Sequence, residues 1–579
     1  MKTTFIQGAF TRETFTGETI IRETSIRAAL ICATLICATF IRATSRRARL
    51  NAAFIQLAAI TLGLAGCGAF GPERAPPQMA SPVHYSVTQQ AARLPAADGV
   101  AQRLDLGARP VPQWWKAYQS DALNALVDEG LSNSPSLAAA QSTLKAAREG
   151  LRSQIGQSLW PSVDVGFTPS RQRALGLPNQ PQQTFLYNIF AAEVQTSYTF
   201  DFFGAAVLAD RALARQVQQQ AYQLDSTRRA LAANIVTATI NSASLQEQVT
   251  ATEELVALGE RRAQQMKARY EFGSASRDDM LAAEQDAANA AATLPALRAQ
   301  SLAVRHAQAV LLGRTPDQAP APLSLDALHL PDTVPVSVAS DLLHQRPDIL
   351  AAEAAVRASA DAAGATTAAM FPSLTLSAAY GRGGFDWSTF TSPAGAIWSV
   401  GASLTQPLFH GGALVARKHQ YQATYDAAVS QYKQTVLAAF QNVADTLVSL
   451  EEDANTLVQT SRAATAAQAM QRDTQARYQL GSSPLYATLT ARQQYQNASV
   501  QYLRARATRL ADTAALFQSM GDPPGVATPG VTMSGIAAPG VGAPSVATPD
   551  AAAPRGEPPV AVAAGVMRHV SVDAAPMRE

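Results

Sequence analysis

One seven-residue stretch occurs twice. Ala268-Arg269-Tyr270-Glu271-Phe272-Gly273-Ser274 returns as Ala476-Arg477-Tyr478-Gln479-Leu480-Gly481-Ser482. Both copies interrupt long Ala- and Gln-rich runs, and in each the glycine is the nearby residue that turns a helix without steric penalty. Each copy therefore reads as the tip of a helical hairpin, and two equivalent tips imply an internal two-fold repeat. Asn133-Ser134-Pro135 opens an Ala-rich helix ending at Trp160-Pro161-Ser162. Gln345-Arg346-Pro347-Asp348-Ile349 opens another, ending at Phe371-Pro372-Ser373. Pro135 answers to Pro347, Pro161 to Pro372 and Tyr270 to Tyr478, with the offset held near about 210 residues.

After each aromatic-Pro-Ser the period changes to two. Val163, Val165 and Phe167 alternate with Ser162, Asp164 and Gly166, and Val194, Tyr198, Phe200 and Phe202 with Glu193, Gln195, Ser197, Thr199 and Asp201. In the second half Leu374, Leu376, Ala378 and Tyr380 alternate with Ser373, Thr375 and Ser377. Trp398, Val400, Ala402 and Leu404 alternate with Ser399, Gly401, Ser403 and Thr405. This predicts strands over about 161–173, 187–203, 372–382 and 396–409, paired as two hairpins. Such faces suit a membrane barrel wall around a wet lumen, although a half-buried soluble sheet alternates in the same way. The connections, roughly 169–190 and 381–396, read as outward loops. Gly381-Arg382-Gly383-Gly384 is taken as loop, since no helix N-terminus follows it to cradle phosphate.

Each hairpin leads through Phe203-Gly204 or Phe409-His410-Gly411-Gly412 into a helix reaching its tip. About 69 residues at about 1.5 Å each make a rod of roughly 100 Å. Tyr425, Val429, Tyr432, Val436, Phe440, Val443, Leu447 and Leu450 recur every three or four residues, the period of a coiled-coil seam and so a packing surface. Returning helices span about 276–312 and 485–520. Trp114-Trp115-Lys116-Ala117-Tyr118 begins the folded body, its tryptophans acting as packing anchors.

The N-terminal region reads as export machinery. Residues 1–45 are a repetitive Thr/Ile/Arg stretch holding Cys32 and Cys37, either a removable extension or a folded element. Arg46, Arg47 and Arg49 precede an apolar run from Ala52 to Ala65, and Leu64-Ala65-Gly66-Cys67 is similar to a bacterial lipobox; the alternative is an ordinary signal peptide with an incidental cysteine. A lipidated Cys67 followed by Gly68 fits the outer membrane and gives stable anchoring by several acyl chains. The segments expected are 1–66, extension and signal peptide; 67–110, a Pro-rich lipidated tether; 111–330 and 331–520, the two repeats; and 521–579, a disordered Pro/Ala/Gly-rich tail.

Charged residues make up 16% of the 579, and the formal net charge of +2 offers no footprint for nucleic acid. No stretch after residue 67 approaches the ~20 apolar residues of a spanning helix, so any crossing relies on strands. The seven histidines are dispersed without metal-ligand spacing, and neither a Gly-x-Ser-x-Gly elbow nor a P-loop occurs, so no enzyme and no cofactor beyond the lipid on Cys67 is expected.

Gln345-Arg346-Pro347-Asp348-Ile349-Leu350-Ala351-Ala352-Glu353, Phe371-Pro372-Ser373-Leu374 and Gln406-Pro407-Leu408-Phe409-x-Gly411-Gly412 together resemble the outer-membrane efflux protein family, in particular the lipoprotein branch serving resistance-nodulation-division pumps. Tyr198-x-x-Asp201-x-Phe203-Gly204 and the Arg-Tyr-x-x-Gly tips fit the same family, over about residues 110–520. The resemblance implies an α+β membrane protein: a homotrimer in which four strands per chain join one twelve-stranded transmembrane β-barrel above a long α-helical barrel. It implies a cell outer membrane channel extending into the periplasm and exporting drugs or toxic compounds. Its partners would be a periplasmic adaptor (membrane fusion protein), an inner-membrane resistance-nodulation-division pump and outer-membrane lipid. The docking tip and periplasmic gate would be Arg269, Tyr270, Gly273, Arg477, Tyr478 and Gly481. For Arg269 and Arg477, a plain solvated helix charge is the competing reading. The aspartate the family pairs with the second tip falls on Thr490 here, which leaves Asp278, Asp279 or Glu284 after the first tip as substitutes. Two alternatives stay open: an exit duct for type I protein secretion, and a lipid-anchored periplasmic adaptor.

Overall fold

The computed structural model describes residues 77, 79–80, 82, 85, 93–96, 100–108, 111–175 and 184–521. The signal peptide, Cys67 and the tail from 522 onward lie outside the described residues.

The elements follow in order. Strand β1 (Arg103–Leu106) and a tight 3-10 turn (Trp114–Tyr118) precede helices α1 (Asp121–Asn133) and α2 (Pro135–Leu159). Strands β2 (Ser162–Leu175) and β3 (Thr184–Phe200) lead into helices α3 (Ala205–Glu271) and α4 (Arg277–Leu311). The second half runs through β4 (Thr333–Val336), α5 (Ala339–Gln345), α6 (Pro347–Ala368), β5 (Ser373–Gly384), α7 (Trp387–Thr391) and β6 (Ala396–Thr405). It ends with α8 (Ala413–Gln479) and α9 (Leu485–Met520). The helices after the two hairpins, α3 and α8, are both 67 residues long.

Local chemistry explains these boundaries. Pro135 and Pro347 sit in the first turns of α2 and α6, where a missing N–H is harmless. The carboxylate of Asp201 accepts from Ala205 N at 2.7 Å and Val207 N at 2.9 Å, capping α3 from outside it. Helix α8 begins after Gly411 and Gly412, both at positive φ (59° and 82°), a conformation that side chains resist. Ser276 and Asp279 form a capping box at the start of α4.

The core lies where both long hairpins meet the chain's first and middle segments. The stripe on α8 is buried as expected: Val436, Val443 and Leu450 are fully enclosed, each worth about 1.5–3 kcal/mol on burial. Trp114 stacks on Phe517 with ring centroids 5.4 Å apart, and the Tyr118 hydroxyl donates to Leu510 O at 2.8 Å. Arg509, 2% exposed, donates to Leu450 O and Gln102 Oε1, while Gln102 Nε2 donates to Pro331 O at 2.9 Å. Arg346 ties the start of α6 to the end of α9, donating to Ser519 O at 2.8 Å while pairing with Asp348.

Five boundaries differ from expectation. The tether over 67–110 ends early. Leu94, Gln102 and Leu104 are buried, and β1 pairs in parallel with β4, so the folded body begins before Trp114. Gly381-Arg382-Gly383-Gly384 is strand, not loop: a Cβ on Gly381 would lie 2.1 Å from Ala192 O and one on Gly384 2.6 Å from Phe390 N. These glycines admit a close neighbour instead of a turn. Strand β2 likewise runs through Pro169 to Leu175, staying in register with β3 from Ser162 opposite Ser197 to Leu175 opposite Thr184. Strand β6 stops at Thr405, before Pro407, and β3 at Phe200, short of the positions 409 and 203 expected.

Candidate functional site

The four long strands form an antiparallel sheet in the order β2-β3-β5-β6. Directly paired residues share a face, so the register sorts the side chains across all four strands. One face carries the rows Val165, Val194, Tyr380, Trp398; Val163, Thr196, Ala378, Val400; and Phe200, Leu374, Leu404. The other carries Asp164, Gln195, Ala379, Ser399; Ser162, Ser197, Ser377, Gly401; and Thr199, Thr375, Ser403. Hydroxyls on the polar face bond one another: Ser162 and Ser197 at 2.9 Å, Thr199 and Thr375 at 3.0 Å. The apolar face is bare within one chain, with Val165 at 79%, Trp398 at 74% and Val400 at 75% exposure. Both β2 and β6 pair on one side only, which leaves two open edges. Among the described residues no helix is long and apolar enough to cross a membrane.

At the opposite end of the long helices the two tips close identically. After α3, Gly273 N donates to Tyr270 O at 2.9 Å and Ser274 N to Arg269 O at 2.7 Å. After α8, Gly481 N donates to Tyr478 O and Ser482 N to Arg477 O, both at 2.9 Å. This is the Schellman arrangement, with Gly273 and Gly481 at φ of 71° and 74°. The Ser274 and Ser482 hydroxyls each add a bond at 3.0 Å to the same arginine carbonyls, which explains the repeated serine. Phe272 and Leu480 stand 87% and 82% exposed between them, and Arg269 turns back to Ser274 O at 3.3 Å.

The candidate partners of the tips have other occupations. Asp279 accepts from Ser276 Oγ at 2.8 Å, and that hydroxyl is the main reason its carboxyl is held below the usual range, with Arg269 a minor contributor. Thr490 donates to Tyr486 O of its own helix at 3.0 Å, and Asp278 is exposed. Among the described residues no hydrogen bond or ion pair joins Arg477 or Tyr478 to Asp278, Asp279 or Thr490.

A residue that sequence reasoning passed over does link the hairpins. Arg262, three turns before the first tip on α3, donates to Tyr486 Oη at 3.0 Å and Gln493 Oε1 at 3.1 Å on α9. It also pairs with Asp286 of α4 at 3.3 Å and lies 5.1 Å from the Tyr486 ring centroid. Nearer the core, Glu254 on α3 accepts from Arg492 and Gln496 of α9. Nothing in the local sequence separates Arg262 from Arg261. Only the docking of α3 on α9 selects it.

Residues 126–314 and again 338–522 match the family model described as outer membrane efflux protein. The chain is 28% identical over 426 residues to the pyoverdine export outer membrane protein OpmQ of Pseudomonas putida, covering 72% of this chain and 88% of that protein. It is 27% identical over 411 residues to the toluene efflux pump outer membrane protein TtgC of Pseudomonas putida, covering 70% and 84%. In fold it is similar to the CmeC outer membrane channel of Campylobacter jejuni, with a TM-score of 0.67 at 20% identity over 77% of this chain and 94% of that one.

Proposed function

The chain belongs to the outer membrane efflux protein family, and on that premise we propose that three copies close into one export duct. It is the outer-membrane channel component of a tripartite efflux system, located in the outer membrane. The observation that carries the duct reading is the register-sorted sheet with two open edges. Unpaired strand edges in lipid leave backbone groups unsatisfied at several kcal/mol each, so β6 of one copy must pair with β2 of the next. Four strands from each of three chains make a twelve-stranded barrel, with the apolar rows toward lipid and the Ser, Thr and Gln rows toward a wet lumen. The repeat units of 111–330 and 331–520 reflect an internal duplication, supported by the equal lengths of α3 and α8 and by the identical tips.

Cys67 is proposed to carry the lipid anchor, ahead of a tether shortened to residues before Leu94. The exposed tips, with Arg269, Tyr270, Gly273, Arg477, Tyr478 and Gly481, are the docking end for a periplasmic adaptor and an inner-membrane pump. The cargo is small molecules, as the names of the relatives suggest. Ser, Thr, Gln and Asp side chains on the lumen rows give a wet, weakly selective wall, so cargo choice falls to the pump. The wall supplies passage instead of chemistry, and no cofactor is invoked.

At rest, the link between the hairpins is Arg262 with Tyr486, Gln493 and Asp286. The test is single-channel conductance of the purified trimer in planar bilayers, comparing wild type, Arg262→Ala and Arg477→Ala/Tyr478→Ala. A small resting conductance that rises in Arg262→Ala supports the link. A rise only in the double variant moves the constriction to the tips, and well-folded trimers that never conduct sink the duct.

A further inference from the structure

Charge is sorted between the two faces of the sheet. On the polar face the charged strand residues are Asp164 and Glu193, whereas on the apolar face they are Arg171, Arg173 and Arg382. The three arginines lie at the end of the sheet remote from the helices, and all are exposed. The short helix α7 folds down onto the same face. Phe390 lies 6.0 Å from Phe167 and 6.3 Å from Phe190, Trp387 lies 5.6 Å from Phe190, and Gly384 has no Cβ to obstruct the approach. Arg382 Nη1 donates to Thr391 O at the end of α7, which draws helix and arginine together. The one carboxylate of this loop, Asp386, is spent on capping α7, accepting from Thr389 N at 2.7 Å and from the hydroxyls of Ser388 and Thr389.

From Phe200 to Phe190 is about ten residues at about 3.3 Å each, which at a strand tilt near 40° spans roughly 25 Å. That is the height of a barrel's apolar band, so the aromatic cluster sits at the far interface with the arginines at and above it. We propose that this rim binds the phosphate-bearing headgroups of anionic lipid in the outer leaflet. The guanidinium groups take the phosphates, and Trp387, Phe390 and Phe190 seat at the boundary between headgroup and acyl chain. The proposal rests on the outer-membrane channel reading. Charge complementarity commits it to lipid: the cations lie on the lipid-facing side and the anions on the lumen side.

The test uses full-length protein in phosphatidylcholine nanodiscs doped with lipid A, with lipid retention read by native mass spectrometry and conductance measured on the same preparation. Wild type should retain lipid A over phosphatidylcholine. Arg171→Gln, Arg173→Gln and Arg382→Gln should each weaken retention about fivefold. Arg152→Gln on α2 should leave it unchanged, and the three lysine variants should keep most of it. Equal retention in wild type and the triple glutamine variant overturns the proposal. So does displacement by millimolar inorganic phosphate, which would mark a free-anion site, or a loss in the lysine variants as large as in the glutamine ones. Intact conductance with no lipid preference sinks this inference alone, whereas absent conductance in wild type sinks the duct reading beneath it.

Discussion

Gly381 shows how much one missing side chain decides. A Cβ there would meet Ala192 O at 2.1 Å and Glu193 Cα at 2.6 Å, so the atoms that must yield are backbone atoms of the paired strand. Gly381→Ala should therefore separate β3 from β5 and lower the temperature at which trimers dissociate on a gel run without boiling. By contrast, a Cβ on Gly481 meets nothing within 4 Å and costs only the positive φ, about 1–2 kcal/mol. Asp453 on α8 offers a pH test. Its carboxyl is pushed up from 3.8 to about 7, first by burial and then by a hydrogen bond shared with Asp512, with Arg509 opposing. The folded state thus keeps a proton that the unfolded chain releases between about pH 4 and 7, so stability is highest below that window and declines as pH rises through it. Asp453→Asn should flatten the fall in unfolding midpoint measured from pH 5 to 8. The Ala-Arg-Tyr-x-x-Gly-Ser spacing revealed the tips, because a Schellman closure is written in consecutive residues. The partners of Asp453 and Arg262 come from other helices and left no local trace.

At the scale of elements, the helices were legible and the smallest strands were not. Proline at a first turn, an Asp or Ser cap and a glycine stop are local signals, and they located α2, α3, α4, α6, α8 and α9 closely. Strands β1 and β4 are four residues each, and their partners lie 230 positions apart, from Arg103 to Thr333. No periodicity develops over so short a run. What holds them is Gln102, which accepts from the buried Arg509 and donates to Pro331. Arg509→Ala removes that strap and leaves Asp453 and Asp512 without their cation, an expected loss of about 3–5 kcal/mol. Limited proteolysis should then cut within residues 100–106 of the variant and spare the same stretch in the wild type. The glycine run at 381–384 misled for a related reason: glycine marks a turn or a close neighbour, and only the neighbour's position tells which.

For the whole molecule, the prediction turns on one residue of register. Val400 and Ser399 are adjacent on β6 but belong to opposite faces. Val400→Arg places a charge in the lipid-facing band at a cost of about 2–4 kcal/mol and should abolish insertion and trimer formation. Ser399→Arg should leave trimers intact and change conductance or ion selectivity, which bilayer recording would register. If both variants insert equally, the assignment of lipid and lumen faces is wrong. The sequence by itself determined the periods, the caps, the repeated tips and hence the alternation of apolar and polar faces, because these depend on residues within a few positions of one another. Only the tertiary structure decided which strands share a row, that α7 folds back on the apolar face, that Arg262 and not its neighbour spans the hairpins, and that residues 94–96 and 100–106 belong to the body. Those outcomes depend on contacts between segments as far as 407 residues apart, from Gln102 to Arg509, which form when a register and a packing angle are chosen together for the whole chain.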